Sequence, residues 1–263
     1  MSIKFLPLLT IISLFFAHPA LSKETPEQKG LRIAKMTRDM NEGFKGETAE
    51  MEMTLIDAYN AKTVREMTSK VMEDDKEGDK SLMVFLNPKD VKGTKMLTHS
   101  HKNDDDDQWL FLPSLRRVKR ISSRNKSSSF MGSEFSYEDL GSQEIEKYNY
   151  KWIKDGKTKS GEKLWILERV PKKKSGYSKM VMYVSQTKNN PVKIDYFDRK
   201  GELLKTATFS DYKVYKIGNK NIYRAHKIHM KNIQTKKQSI FSWKNRKLGV
   251  DHKDRDFDTR SLK

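Results

Sequence analysis

Apolar and polar residues alternate in short runs along most of the chain, the pattern of half-buried β-strands. The clearest run covers residues 47–59, where threonine and glutamate side chains share the opposite face. The apolar face of this run carries Ala49, Met51, Met53, Leu55 and Tyr59. The period of two predicts a strand with one face turned to a core.

Twelve further runs with turn residues between them are predicted as strands. They lie near residues 63–73, 82–86, 94–99, 108–112, 116–121, 145–153, 163–170, 178–185, 192–198, 202–215, 222–233 and 237–243. Asp155-Gly156 and residues 198–201 are predicted as hairpin turns. One helix followed by eleven or more short strands predicts an antiparallel barrel or a strongly curved sheet.

A single helix is predicted over residues 26–42. Thr25 is its expected N-cap, Pro26 occupies the first helical position, and Gln28 completes a capping box. Gly43 follows as the residue that ends the helix. We expect this weakly amphipathic helix to act as a lid or plug across the concave side of the sheet.

The first residues of the chain have the pattern of a secretory signal peptide. Lys4 precedes an apolar run at residues 5–16, and Ala20-Leu21-Ser22 supplies small residues for cleavage after Ser22. The run is too short to span a bilayer comfortably, which argues against a membrane anchor. The sequence therefore predicts a signal peptide at residues 1–22, a periplasmic location, and a single domain over residues 23–263. With no cysteine, the domain has no disulfides.

The chain is strongly basic, with a formal net charge of +18. Export and the even spread of basic residues argue against nucleic acid as a partner. Two interpretations remain open, a plain solvated surface and attraction to an anionic membrane. The densest basic run is the best candidate for contact with head groups or an acidic partner, and it comprises Arg116, Arg117, Lys119 and Arg120.

Methionine is abundant beside the predicted strands. Its unbranched, adaptable side chain suits a surface that accepts a flexible apolar ligand, although each methionine can equally be an ordinary core residue. A sheet this wide encloses more space than side chains easily fill. The predicted lining of that space is Met51, Met53, Leu55, Met83, Phe85, Trp109, Phe111, Phe130, Met131, Met180 and Met182.

Catalytic and metal-binding patterns are weak in this sequence. Nucleophile elbows, phosphate-binding glycine loops and zinc-protease motifs are missing, and a thiol enzyme is excluded without cysteine. His99 and His101, two residues apart at a strand end, could bind a metal together with the acidic run at residues 104–107. That acidic run is more typical of a solvated turn. We therefore predict that the protein is not an enzyme and needs no cofactor or metal. Glu134, Glu138 and Asp139 are interpreted as structural residues of a short helix in a loop, with Ser133 as the cap of that helix.

The most specific pattern lies in the middle of the chain. Residues 108–121 read QWLFLPSLRRVKRI, and residues 130–140 read FMGSEFSYEDL after a serine-rich loop at 122–129 that we interpret as a gate or a plain surface loop. Together with Asn87-Pro88, Gly93-Thr94 and residues 257–262, these motifs resemble the LolA-like outer membrane lipoprotein-sorting family, in the branch often associated with resistance-nodulation-division-type exporters.

The resemblance implies a fold and a function. The fold is mainly β, an incomplete, half-open antiparallel β-barrel with helices covering its concave side, as in LolA and LolB. The implied function is a monomeric periplasmic carrier that shelters acyl chains of lipoproteins or lipids for transfer toward the outer membrane. The alternative is a periplasmic accessory subunit whose partner is an inner-membrane exporter.

Overall fold

The computed structural model describes residues 23–262, so the predicted signal peptide lies outside the described residues. This part of the chain has one α-helix, α1 (Pro26–Asn41), followed by thirteen β-strands. No helix within it combines the length and the apolar character needed to span a membrane.

The strands form one antiparallel sheet in the order β6-β5-β4-β3-β2-β1-β13-β12-β11-β10-β9-β8-β7, with β6 and β7 at its edges. Their bounds are β1 Gly46–Ile56, β2 Lys62–Met72, β3 Lys80–Asn87, β4 Lys95–His99, β5 Asp107–Leu112, β6 Arg117–Ile121, β7 Tyr148–Lys157, β8 Lys163–Pro171, β9 Lys179–Ser185, β10 Pro191–Phe197, β11 Leu203–Ile217, β12 Lys220–Asn232 and β13 Gln238–Leu248. Each corresponds to a strand predicted from the sequence.

Local sequence sets the start and the end of α1. The Thr25 side chain accepts a hydrogen bond from the Gln28 amide at 3.2 Å, and the Gln28 side chain accepts one from the Thr25 amide at 2.9 Å. This reciprocal capping box is the one predicted. Gly43 has φ +85°, a left-handed conformation that glycine adopts without steric cost, and the helix ends just before it.

The helix packs directly on the backbone of edge strand β7. A Cβ atom on Gly30 would lie 2.7 Å from the Trp152 amide nitrogen, so only glycine permits this close approach. Ile33 and Ala34 on the same side are buried in the main core. At its C-terminal end, Asn41 accepts a 2.7 Å hydrogen bond from Arg224 of β12. The helix therefore spans one face of the sheet from β7 to β12.

Two local predictions are wrong. Asp155-Gly156 is not a turn, because β7 continues to Lys157 after a register shift between Trp152 and Lys154. Asp155 instead accepts a hydrogen bond from the Trp152 indole at 2.9 Å. Tyr59 does not extend the apolar face of β1 and is 91% exposed. The chain turns before it, where the Asp57 side chain accepts a hydrogen bond from the Tyr59 amide.

The sheet has apolar clusters on both faces. The main core contains Met96 of β4 and side chains from α1, from the segment between β6 and β7, and from most strands. Leu97, the next residue along β4, points the other way into a smaller outer cluster. Phe257 and Leu262 of the C-terminal tail complete that outer cluster, and both are almost fully buried. The tail thus covers the outer face of the β3–β6 side of the sheet.

Ion pairs connect parts of the sheet that are far apart in strand order. Lys173, between β8 and β9, lies 2.6 Å from Asp104, between β4 and β5, and Lys147 before β7 pairs with Asp106. In a flat sheet these loops would be at least eight strand spacings apart, about 38 Å. The sheet therefore curves strongly, yet it stays open because β6 and β7 do not pair with each other.

Candidate functional site

A cavity of ≈ 350 Å³ lies between α1, the inward-facing side of β7–β12 and the segment that joins β6 to β7. Its size falls within the range of about 300–1,000 Å³ that is common for small-molecule sites. Most of its wall is aliphatic or aromatic. The apolar wall includes Met182, Ile194, Ala207, Phe209, Ile228 and Met230.

Residues 130–140, which we call the inner segment, fill the space beside this cavity. Phe130 is fully buried, and its ring meets the Tyr137 ring edge-on at 5.7 Å between centroids. Phe135 lies 4.4 Å from the ring of Phe241 on β13 and also forms part of the cavity wall. The motif singled out in the sequence is therefore an internal element of the core.

The polar groups of the inner segment are bonded within the protein. Ser136 caps its short 3₁₀ turn, donating its amide to Asp139 Oδ2 at 2.7 Å, so the cap is Ser136 and not Ser133 as predicted. Glu134 accepts from Asn232 at 2.7 Å. Glu138 accepts from the Ser175 hydroxyl at 2.8 Å, and burial raises the pKa of its carboxyl group. These contacts agree with the structural interpretation of the three acidic residues.

A buried ion pair fastens the inner segment to the sheet. Lys205 Nζ of β11 lies 2.7 Å from Asp139 Oδ2, and both side chains are 5% exposed. The same ammonium group donates to the Glu134 carbonyl oxygen at 2.8 Å. The Tyr177 hydroxyl donates to Asp139 Oδ1 at 2.9 Å, and burial followed by the nearby Asp139 charge holds the pKa of Tyr177 well above its usual value.

One arginine is buried in the polar part of the cavity wall. Arg169 of β8 is 2% exposed. Its Nη2 donates to Gln143 Oε1 at 2.8 Å, and its Nε lies 3.2 Å from the sulfur of Met180. The guanidinium group also lies 4.6 Å from the centroid of the Tyr148 ring.

Most of the predicted lining residues lie in the main core. Of the predicted lining residues in the main core, Met182 borders the cavity and the others pack away from it. Leu55 and Met131 are partly buried against the main core. The predicted lining residues that are buried in the main core are Met51, Met53, Met83, Phe85, Phe130, Met180 and Met182.

The predicted inward orientation of Trp109 and Phe111 is wrong. Both pack in the outer cluster, on the opposite side of β5 from the main core. Leu110 points inward instead, and the amide of buried Gln108 donates to the Tyr137 carbonyl at 2.9 Å. Because β5 is covered on both sides, its sequence is apolar on both faces and alternation does not distinguish them.

Three residues on the cavity wall are not predicted by the sequence patterns: Arg169, Tyr150 and Tyr196. The available signal was Arg169 itself, which shares the inward face of β8 with buried Leu167 in an otherwise apolar strand. A charged side chain on a buried face is rare unless it is paired or functional. The sequence does not predict that Tyr150 of β7 and Tyr196 of β10 lie on the same cavity wall.

The basic run lies on and beside edge strand β6. Arg116, Arg117, Lys119 and Arg120 are all exposed, and Arg120 pairs with Asp107. The serine-rich loop that follows is internally bonded, with the Ser128 amide donating to the Asn125 carbonyl at 2.9 Å. Within residues 23–262 there is no group of three or more potential metal ligands.

Comparisons with known proteins agree with this architecture. A family model described as "Uncharacterized protein" matches residues 77–263. No curated protein matches the chain. Among solved structures, a Vibrio parahaemolyticus domain named for outer membrane lipoprotein sorting is 44% identical, with 90% of this chain and 99% of that chain covered and a TM-score of 0.86.

Two further structures extend the likeness. A DUF1329 family protein from Desulfovibrio piger is 28% identical over 91% of this chain and 100% of that chain, with a TM-score of 0.84. A LolA superfamily protein from Nitrosomonas europaea is 17% identical over 88% of this chain and 98% of that chain, and its TM-score of 0.70 shows a shared fold. The Vibrio parahaemolyticus match, at 44% identity over 90% of this chain, shows that the chain belongs to the LolA-like outer membrane lipoprotein-sorting family.

Proposed function

We propose that this protein is a periplasmic carrier that shelters acyl chains of lipids or lipoproteins on the way to the outer membrane. The sheet acts as a half-open barrel, and α1 covers its concave side. The observation that carries the proposal is the apolar cavity between α1, the inner segment and β7–β12. The name of the Vibrio parahaemolyticus relative refers to lipoprotein sorting and supports a carrier function.

The physical need for such a carrier is large. Exposing an acyl chain to water costs about 0.8 kcal/mol for each methylene group, on the order of 10 kcal/mol for a sixteen-carbon chain. A cavity lined by Ala207, Ile228 and Met230 replaces that contact with water by contact with apolar side chains. Sheltering requires no bond to be made or broken, so the proposal assigns no catalytic residue.

The location and organisation of the chain are part of this proposal. Residues 1–22 serve as the signal peptide, and residues 23–263 form one carrier domain that works as a monomer. An accessory subunit of an exporter is less favoured, because an accessory role gives no reason for an open apolar cavity. An inner-membrane exporter as the donor of cargo stays a prediction.

The carrier function is tested by filling the cavity. Ile228 is partly buried on the cavity wall, whereas Val214 on neighbouring β11 is 53% exposed on the surface. We expect Ile228→Trp to reduce uptake of a fluorescent fatty acid about tenfold or more, because the indole occupies the ligand's space. Val214→Trp is the matched control and should bind as the unmodified protein does.

Lipids extracted from protein purified without detergent should also contain acyl chains, detected by mass spectrometry. Protein that carries no acyl chain and takes up no fluorescent fatty acid would remove the support for a carrier. Equal uptake by both tryptophan variants would show that the cavity is not where the probe binds.

We propose that the exposed basic run on β6 guides the carrier to anionic membranes. Charges at a membrane surface act over about 10 Å at 0.1 M salt and less at higher salt. Sedimentation with vesicles rich in anionic lipid should therefore fall steeply between 50 mM and 500 mM salt, and Arg117→Gln with Lys119→Gln should weaken it. Binding that is equal for neutral and anionic vesicles would contradict this role.

A further inference from the structure

The cavity contains a buried positive charge with neutral neighbours. Arg169 is 2% exposed, and its contacts are the Gln143 amide, the Met180 sulfur and the Tyr148 ring. Among residues 23–262, no carboxylate oxygen lies within 4.0 Å of the Arg169 guanidinium nitrogens. The ion pairs nearby are formed by other basic residues, namely Arg38, Lys205 and Arg246. A buried charge without a counter-ion is costly, and proteins seldom keep one without a purpose.

The other charged residues on the cavity wall already have ion-pair partners. Arg38 lies within ion-pair distance of three carboxylates, Glu42 at 3.2 Å, Glu146 at 3.3 Å and Asp39 at 3.4 Å. Asp139 pairs with Lys205, as described above. Of the charged residues on this wall, Arg38, Asp139 and Arg169, only Arg169 has no ion-pair partner among the described residues.

The tyrosines around Arg169 do not supply the missing negative charge. Tyr150 lies directly across from Arg169 in the β7–β8 pairing, and Tyr196 is on the same cavity wall. Burial raises the pKa of Tyr148 to about 12 and raises the pKa of Tyr150 and Tyr196 above their usual range. All three phenols are therefore neutral at physiological pH. The Tyr148 ring lies against the guanidinium, but none of the three neutralises its charge.

We infer that Arg169 binds the anionic head group, a carboxylate or a phosphate, of a single-chain amphiphile whose acyl chain lies along the apolar wall of the cavity. The inference rests on the proposed carrier function and narrows its cargo. A guanidinium group presents several N–H donors in a plane, which matches the oxygens of a carboxylate or phosphate. Met182, Ile194 and Ala207 then provide apolar contact for the chain.

This assignment distinguishes between kinds of cargo. Acyl groups that are esterified or amide-linked carry no charge of their own and leave Arg169 unpaired. A free fatty acid or a single-chain phosphate lipid supplies the counter-ion together with the chain. The site is therefore expected to prefer charged single-chain amphiphiles over neutral ones of equal length.

Three probes with the same twelve-carbon chain test the inference by titration calorimetry on delipidated protein: dodecanoate, dodecyl phosphate and 1-dodecanol. We expect at least one of the two anions to bind tenfold or more tightly than the alcohol, about 1.4 kcal/mol, because the guanidinium forms charge-assisted hydrogen bonds with the anion alone. Which anion binds more tightly identifies the head group. In Arg169→Met this preference should disappear while the alcohol still binds.

Matched variants separate the charge of Arg169 from its packing. Arg199→Met removes an exposed arginine from the turn between β10 and β11 and should leave all three affinities unchanged. Arg169→Lys keeps the charge and should keep a preference for the anions, which preserves the test if Arg169→Met does not fold.

The possible results do not overlap. Equal binding of anion and alcohol by the unmodified protein overturns the inference and leaves the carrier function standing. A preference for anions that persists in Arg169→Met also overturns it. If none of the three probes binds the unmodified protein, the carrier function itself is contradicted.

Discussion

Lys205→Met is expected to lower the free energy of unfolding by about 3–5 kcal/mol, because it leaves the Asp139 carboxylate buried without its cation. Both side chains of the pair are 5% exposed, so water cannot replace the lost partner. The Glu134 carbonyl oxygen also loses its donor. The inner segment should then detach from β11, and urea unfolding followed by tryptophan fluorescence measures the loss.

Two companion variants define the origin of this effect. Adding Asp139→Asn to Lys205→Met removes the uncompensated charge and should restore part of the lost stability. Lys244→Met breaks an exposed pair, Lys244 with Glu52 at 3.3 Å, and should cost less than about 1 kcal/mol. A loss as small for Lys205→Met as for Lys244→Met would show that the buried pair does not hold the inner segment.

The inner segment also explains why its sequence is so specific. Each of its acidic side chains has a separate partner on the sheet or in a neighbouring loop, namely Asn232 for Glu134, Ser175 for Glu138 and Lys205 for Asp139. Its two phenylalanines fill the space that the curved sheet encloses. The segment thus fills much of the interior beside the cavity under α1.

Local chemistry made most of the fold predictable. The capping box at Thr25 and the turn at residues 198–201 depend on neighbours in sequence, and both form as expected. The alternation along β1 is clear because Met51 and Met53 on one face pack in the core, whereas on the other face Glu50 is exposed and Glu52 is half-buried. Strand positions follow from such signals, since period and turn residues are local properties.

The candidate site was less predictable because it depends on which distant strands meet. The sequence placed apolar residues in the interior, but the choice between packed core and cavity wall depends on how far the inner segment fills the barrel. Trp109 and Phe111 face outward because the C-terminal tail, more than 140 residues later, covers that side of β5. Arg169 meets Tyr196 only through the pairing of β8, β9 and β10.

Phe85 and Met182 were both predicted as cavity lining, and a buried carboxylate should distinguish their positions. Phe85 is fully enclosed, with the ring of Phe130 at 5.9 Å, and does not border the cavity. Phe85→Asp is therefore expected to cost more than about 4–5 kcal/mol, enough to prevent folding at 37 °C. Thermal unfolding followed by circular dichroism measures the effect, with Phe85→Leu as the control for lost volume.

Met182→Asp should behave differently because Met182 borders the open cavity, where water can hydrate the new carboxylate. Arg169 lies on the same wall and can act as its counter-ion, so we expect this variant to fold. The same new charge should abolish uptake of a fluorescent fatty acid, since it repels the head group and neutralises Arg169. Met182→Leu should fold and bind normally. If Met182→Asp is as unstable as Phe85→Asp, Met182 belongs to the packed core, and no predicted lining residue borders a ligand site.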